Sequence, residues 1–193
     1  MFSGRRRIVF AIVSALLAAS CGEPPDKEMQ QAQGSIDAAR AAGAETYATA
    51  EFTAAQDALK QAREAVDQRD YQSALNHALD SRERAQNAAK EAADRKATAR
   101  GDAERALSDA TTALTEARLK LKTAEAARVA PKTLAAPRRT IADSEQALQK
   151  ARAAFGQGDY PAVARLAGPA GTALIRTARD LEAVTNIMGR RRR

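Results

Sequence analysis

The stretch that decides the fold runs from Tyr71 to Ala127 and reads YQSALNHALDSRERAQNAAKEAADRKATARGDAERALSDATTALTEARLKLKTAEAA. Alternating steps of four and three residues from Tyr71 meet apolar residues, mostly alanine, with two exceptions at Arg82 and Lys96. This heptad-type row predicts one or two long helices. Alanine is the best helix former and lets two helix backbones approach closely. We define the predicted seam as Tyr71, Leu75, Ala78, Arg82, Ala85, Ala89, Ala92, Lys96, Ala99, Ala103, Ala106, Ala110, Ala113 and Ala117.

Composition extends this prediction to the whole chain of 193 residues. Alanine makes up about a quarter of it, and aromatic residues only 4%. Alternating strand-like runs of β-branched and aromatic residues are missing outside the apolar N-terminal segment. We therefore predict an all-α protein, an elongated helical bundle of coiled-coil-like character, whose stability comes from length and repetition because an alanine seam buries little surface.

The formal charge of +7 is concentrated at the two ends of the chain. Seven of the 31 basic residues form the arginine runs 5–7 and 190–193, and the other 24 balance the 24 acidic residues. The helical body is therefore neutral in sum. A duplex-binding domain would be expected to carry a basic face of its own, so we expect no nucleic-acid partner.

The first 20 residues have the organisation of a secretory signal peptide. Three arginines, Arg5 to Arg7, precede the apolar run from Ile8 to Ala19, which is too short to span a bilayer. The only cysteine, Cys21, follows directly after Ser20. A lone exposed thiol would be a liability in an oxidising compartment.

The sequence Leu17-Ala18-Ala19-Ser20-Cys21 resembles the lipobox of bacterial lipoproteins. The resemblance implies that Cys21 carries a diacylglycerol and that the new N-terminus is acylated, which together anchor the chain stably. Gly22 after the cysteine implies the outer membrane, facing the periplasm. The family usually has leucine where Ala18 stands. Ala18 and Ser20 also suit ordinary signal peptidase, so a plain secreted protein with a free cysteine remains the alternative.

The mature chain repeats itself with an offset of 89 residues. The matching positions of the first copy are Ala58-Leu59, Ala62, Ala65, Asp70-Tyr71, Ala74 and Ala78. Their counterparts in the second copy are Ala147-Leu148, Ala151, Ala154, Asp159-Tyr160, Val163 and Ala167. We therefore predict two copies of a three-helix unit. Asp70 and Asp159 are suited to cap the helix that follows each turn, and Tyr71 and Tyr160 to pack its corner.

This pattern predicts a division into a signal peptide (1–20), a lipidated cysteine with a short tether (21–26), helical repeats at 27–100 and 101–188, and a basic, disordered tail (189–193). Predicted helices cover 27–42, 49–68, 70–99, a stretch to 127, 138–155 and 160–188. Gly101 either ends the third of these helices or lies within a continuous one. We expect residues 131–137 to be a linker, and Gly168, Pro169 and Gly171 to kink or break the last helix.

The repeat is similar to a family of Ala-rich helical envelope lipoproteins of unknown function. Their domain has a proline at a helix start, an Ala-x-x-x-Leu-x-x-Ala helix, an Asp-Tyr turn and a further Ala-rich helix. Residues 130–178 fit this pattern best, and residues 44–92 fit it more loosely because no proline begins the first helix. The resemblance implies a helical domain in the envelope and names no activity.

Catalytic, cofactor and metal sites are not predicted. His77 is the only histidine and has no cysteine to share a zinc site with. No serine or cysteine nearby makes it a triad member, so we expect a non-enzymatic protein. The tail of Arg190, Arg191, Arg192 and Arg193 is the one block of like charge after the predicted signal peptide, and we predict a contact with an anionic surface there.

The sequence thus favours a lipid-anchored envelope protein that acts as a spacer or binding scaffold. A soluble periplasmic adaptor or chaperone that grips apolar segments between its helices is the alternative. A coiled-coil oligomer is a third reading of the same seam.

Overall fold

The computed structural model describes residues 23–191, and these residues are almost entirely helical. They form α1 (Asp26–Ala42), α2 (Ala44–Tyr47), α3 (Thr49–Asp67), α4 (Tyr71–Ala126), α5 (Pro131–Gly156) and α6 (Tyr160–Arg191). No strand occurs within this range. The predicted all-α class is confirmed.

The chain divides into two compact units, the first ending at Arg95 and the second beginning at Lys96. In the first unit, α1, α3 and the first half of α4 enclose a core around Ile36, Phe52 and Leu59. In the second, the rest of α4 packs with α5 and α6 around Leu148, Val163 and Leu174. The predicted border after residue 100 lies slightly further along the chain than this division.

Helix α4 runs without interruption through Gly101, which resolves the alternative that the sequence left open. Its residues 93–98 are all exposed, and they include Lys96, one of the two charged positions in the predicted seam. The other, Arg82, is half-buried, and its guanidinium donates to Gln31 Oε1 at 2.8 Å. Both charged groups therefore keep access to water. Long cationic side chains are tolerated beside a hydrophobic core when their charged ends reach solvent in this way.

The face of α4 that is buried in the first unit differs partly from the predicted seam. Leu75, Arg82 and Ala89 are only half-buried. The fully covered row consists of Ala74, Ala78, Ser81, Ala85, Ala88 and Ala92. Ser81 explains the difference, because its hydroxyl donates to the Ala55 carbonyl at 2.7 Å and so satisfies a polar group inside the contact between α3 and α4.

The predicted linker at 131–137 is wrong, because α5 begins at Pro131. Proline is harmless at a first helical position, where no donor is needed. Pro137 lies inside the helix, and the carbonyl that loses its donor belongs to the exposed Thr133. Leu134 and Ile141 are buried on one side of this segment, so their packing holds the helical conformation.

The predicted break in the last helix is also wrong, since α6 runs from Tyr160 through Pro169 to Arg191. Pro169 is exposed, so the carbonyl left without a donor, that of Arg165, can bond to water. Gly171 is buried, and a Cβ there would come within 3.3 Å of the Ala110 Cβ. This glycine therefore allows α6 to approach α4 closely. The predicted disordered tail is helical at least as far as Arg191.

The repeat is visible in the turns that join the helices. Arg69 has φ 60° and Gly158 has φ 77°, and they are equivalent positions of the two copies. Each turn carries the same backbone bonds of a Schellman-type helix end. They are Arg69 N to Val66 O (2.9 Å) and Asp70 N to Ala65 O (2.9 Å), then Gly158 N to Phe155 O (3.0 Å) and Asp159 N to Ala154 O (3.0 Å).

The caps that follow these turns are confirmed. The carboxylate of Asp70 accepts a bond from Ser73 N at 3.1 Å, and that of Asp159 accepts one from Ala162 N at 2.9 Å. Tyr160 packs on the core of the second unit, with its ring centroid 5.5 Å from that of Phe155. Tyr71 is half-buried at the equivalent corner.

Replacing Arg69 by glycine is expected to stabilise the protein by about 0.5–1 kcal/mol. A side chain in the left-handed region costs about 1–2 kcal/mol, and the greater entropy of glycine in the unfolded chain offsets part of that gain. Gly158→Ala should show the reverse, a loss of about 1 kcal/mol. Urea denaturation followed by circular dichroism measures both changes.

The control for this pair is Gln61→Gly, at an exposed position inside α3. There the helical φ suits any residue, so glycine should cost about 1 kcal/mol. If Arg69→Gly lowered the free energy of unfolding as much as Gln61→Gly does, the left-handed conformation of Arg69 would carry no energetic cost.

Candidate binding surfaces

The two sites predicted from the sequence lie at the edges of the described residues. Cys21 lies outside them, so the predicted lipidation stays a prediction. Arg190 is exposed near the end of α6, and the backbone of Arg191 is helical. Arg192 and Arg193 lie outside the described range. The predicted anionic contact therefore begins on a helix and not on a bare tail.

His77 is half-buried on α4 and belongs to no cluster of reactive groups. The nearby Asp70 has a pKa below its usual value, first because Ser73 hydrogen-bonds its carboxylate and to a smaller extent because of the charge of His77. Residues 23–191 contain no group of three or more histidine, cysteine or acidic side chains placed to hold a metal ion. Among the described helices, none has an apolar stretch long enough to cross a bilayer.

A shallow groove of about 530 Å³ lies in the first unit between α1 and α4. Its walls are small or polar side chains, with the Gln31 and Arg82 pair at one side. The lining residues are Gln31, Gly34, Ser35, Ala38, Arg82, Gln86 and Ala89. A wall without large apolar or aromatic side chains lacks the usual means of holding a small molecule.

The neutral sum of the helical body conceals opposite charges on the two units. Residues 23–95 carry nine basic and 14 acidic side chains, a net charge of −5. Residues 96–193 carry 19 basic and ten acidic side chains, a net charge of +9, or +5 without the four terminal arginines. Overall neutrality therefore does not exclude a basic surface on the second unit, contrary to the argument from composition.

Four basic side chains of the second unit lie along one face of α6. We define the α6 arginine face as Arg165, Arg176, Arg179 and Arg190, all of them exposed. They are separated by 11, 3 and 11 residues, spacings that keep side chains within about 60° of one another around an α-helix. The buried residues of α6, which include Val163, Ala167, Leu174, Ala178 and Leu181, point to the opposite side.

The arginines on the other helices of the second unit are paired with acidic groups, except Arg152, which donates to the Thr111 hydroxyl at 3.2 Å. Arg118 contacts Glu145 at 2.8 Å, and Arg138 contacts Glu125 at 2.8 Å. The α6 arginine face differs, because none of its four side chains forms a hydrogen bond or ion pair with any of the residues that the structure describes. Helix α6 holds only two acidic residues, Asp180 and Glu182, and Glu182 is bonded to Lys120 at 3.1 Å.

Sequence reasoning missed this face because it summed charge over the whole body. Counting charges separately in each half, and marking arginine positions on a helical projection of 160–191, would have found it. The break expected at Gly168 to Gly171 would have hidden the alignment, since it placed Arg165 on a different segment from Arg176.

Comparison with known proteins adds one family match. No curated protein and no solved structure matches the chain significantly. The family match begins at the start of α1 and ends shortly after Gly101. It therefore covers the copy that we expected to fit the envelope-lipoprotein pattern more loosely, together with α1, which that pattern left out. Residues 27–106 of the chain match the model of a domain of unknown function, DUF4398.

Proposed function

We propose that the protein is a lipid-anchored helical spacer or scaffold of the bacterial cell envelope, without catalytic activity. The observation that carries this proposal is the position of Cys21, the only cysteine, directly after a basic and apolar leader. The described residues support it with two compact helical units, and the groove between α1 and α4 has small and polar walls.

The seam of α4 bears on how such a scaffold would assemble. Ala78, Ala85 and Ala92 are buried by helices of their own unit. The same is true of Ala103, Ala110 and Ala117 in the second unit. A row already covered within one chain is not free to form a two-chain coiled coil, so a monomeric scaffold is favoured over the coiled-coil oligomer.

The adaptor alternative needs an exposed apolar stripe to grip other proteins. The large apolar side chains exposed among the described residues are Leu79, Leu119, Ile175 and Ile187. They are distributed over α4 and α6 of both units, and none of them lines the groove between α1 and α4. We therefore rank the adaptor below the anchored scaffold.

The proposal is tested by mass spectrometry of the protein extracted from the membrane fraction of its host. The expected result is a chain that begins at Cys21 and carries a diacylglycerol on its thiol. In Cys21→Ala the membrane-bound fraction should fall by roughly tenfold or more, since the acyl chains supply the anchoring energy.

The matched control is Ser20→Ala, which keeps the cysteine and a small residue before it and should remain membrane-bound. The measured mass also reports whether the leader is still attached, so an uncleaved precursor cannot be mistaken for an acylated chain. An unmodified thiol at Cys21 in the cleaved wild-type protein would refute the anchor.

A further inference from the structure

We propose that the α6 arginine face is a docking surface for anionic phospholipid headgroups. This inference rests on the proposed function in one respect, that a protein of the cell envelope is close to lipid surfaces. It does not depend on acylation of Cys21. The face consists of Arg165, Arg176, Arg179 and Arg190 and spans 26 residues of one helix, about 37 Å of its axis.

The geometry suits an extended anionic surface better than a single small anion. Arg176 and Arg179 lie about one turn apart, whereas Arg165 and Arg190 each lie about 16 Å along the axis from the nearer of them. These distances are too long for the four guanidinium groups to converge on one phosphate. They match a row of separate headgroups, to each of which a planar guanidinium can donate two bonds.

The charges on this face are available to an external partner. None of the four side chains forms a hydrogen bond with another described residue, so their donors are free to bind an external group. The nearest acidic side chain on the same helix is Asp180, at the edge of the face, next to the small groove that Arg176 also lines. The unit that carries the face has a net charge of +9, so its long-range field favours the same partner.

Apolar residues on the same side of α6 favour lipid over nucleic acid. Ile187 is 54% exposed and lies beside Arg176 on a helical projection, just outside the arc of the arginines, and Ile175 is 44% exposed at the opposite edge of the face. Ala183 and Thr172 fill the space between the charges. Apolar side chains next to cations fit the boundary between headgroups and acyl chains, whereas a strand of nucleic acid is usually held by stacking on aromatic rings.

Arginine footprinting tests the proposal on the full-length chain. The protein is treated with phenylglyoxal in the presence of vesicles of 30 mol% phosphatidylglycerol in phosphatidylcholine, in the presence of vesicles of phosphatidylcholine alone, and without vesicles. Peptide mass spectrometry then gives a modification rate for each arginine. On the anionic vesicles the rates at Arg165, Arg176 and Arg179 should fall by roughly fivefold or more, in line with the contribution of one basic residue at an anionic surface.

Arg69 is the internal control, because it is exposed and lies at a turn of the first unit, which does not carry the α6 arginine face. Its rate should not differ between the two kinds of vesicle. Equal rates at the α6 arginine face on both vesicles would overturn the proposal. The modification rates of the arginines do not report acylation at Cys21. The docking surface and the proposed lipid anchor can therefore be refuted independently of each other.

A pair of variants separates the face from net charge. Replacing Arg165, Arg176 and Arg179 by glutamine should weaken binding to the anionic vesicles by about 100-fold, from roughly fivefold for each residue. Replacing Lys122, Lys132 and Lys150 by glutamine removes the same charge from exposed positions elsewhere in the unit and should cost much less. Equal losses in the two variants would overturn the proposal, as would protection of the face by a 30-base-pair duplex but not by the vesicles.

Discussion

Leu174→Ala is expected to destabilise the second unit by about 3 kcal/mol. Leu174 is completely buried in the core that α4, α5 and α6 form. Truncation removes apolar contacts and leaves a cavity that the surrounding helices fill only partly. Leucine and alanine have similar helix propensities, so the loss reports packing and not the stability of α6 as an isolated helix. The effect is large because the other buried positions of this chain are mostly alanine.

Hydrogen exchange read by mass spectrometry measures this change within each unit, which matters because a chain of two units need not unfold in one step. Peptides from α5 and α6 should lose protection. The control is Leu119→Ala, in the same unit at a position 62% exposed, where a change below about 0.5 kcal/mol is expected. A similarly small effect at Leu174 would mean that the core of this unit is not packed as described.

Ala85→Leu is expected to destabilise the first unit by about 2–3 kcal/mol. Ala85 is fully buried on α4 and corresponds, 89 residues earlier, to Leu174. The same structural position thus holds a small residue in one unit and a large one in the other. Because α4 packs directly against its neighbours through alanine, the added carbons have no room and must push the helices apart.

The matched control is Ala97→Leu, on the same helix within its exposed stretch. It adds the same atoms without a packing partner and should leave the stability within about 0.5 kcal/mol of the wild type. Urea denaturation together with the exchange rates of peptides from α1 and α3 distinguishes the two variants. A neutral or stabilising Ala85→Leu would show that a cavity adjoins this alanine.

Ala85 and Leu174 are equivalent positions of a repeat that the sequence revealed and the structure explains. Equivalent turns at Arg69 and Gly158 use the same hydrogen bonds, followed by an aspartate cap in each copy. These features are readable from sequence because a helix end needs a residue that tolerates positive φ and an acceptor for the free amides that follow. Both requirements are local in the chain.

Errors arose where tertiary packing outweighed local preference. Pro137 and Pro169 suggest a linker and a break, yet both lie inside helices. Their unfavourable effect on the backbone is limited, because the carbonyls that lose a donor belong to exposed residues, whereas Leu134 and Leu174 are buried nearby. Similarly, the predicted seam passes through Arg82 and not through the buried Ser81, whose hydroxyl is satisfied by the carbonyl of Ala55.

The sequence by itself determined the helical class, the turns and the capping residues, because periodicity, helix propensity and capping act over a few neighbouring positions. Only the tertiary structure decided which face of α4 is buried and where the chain divides. It also showed that arginines distant in sequence align along a single unbroken α6. Each of these depends on which surfaces of different helices meet, and an alanine-rich helix offers several nearly equivalent faces until its neighbours pack against one of them.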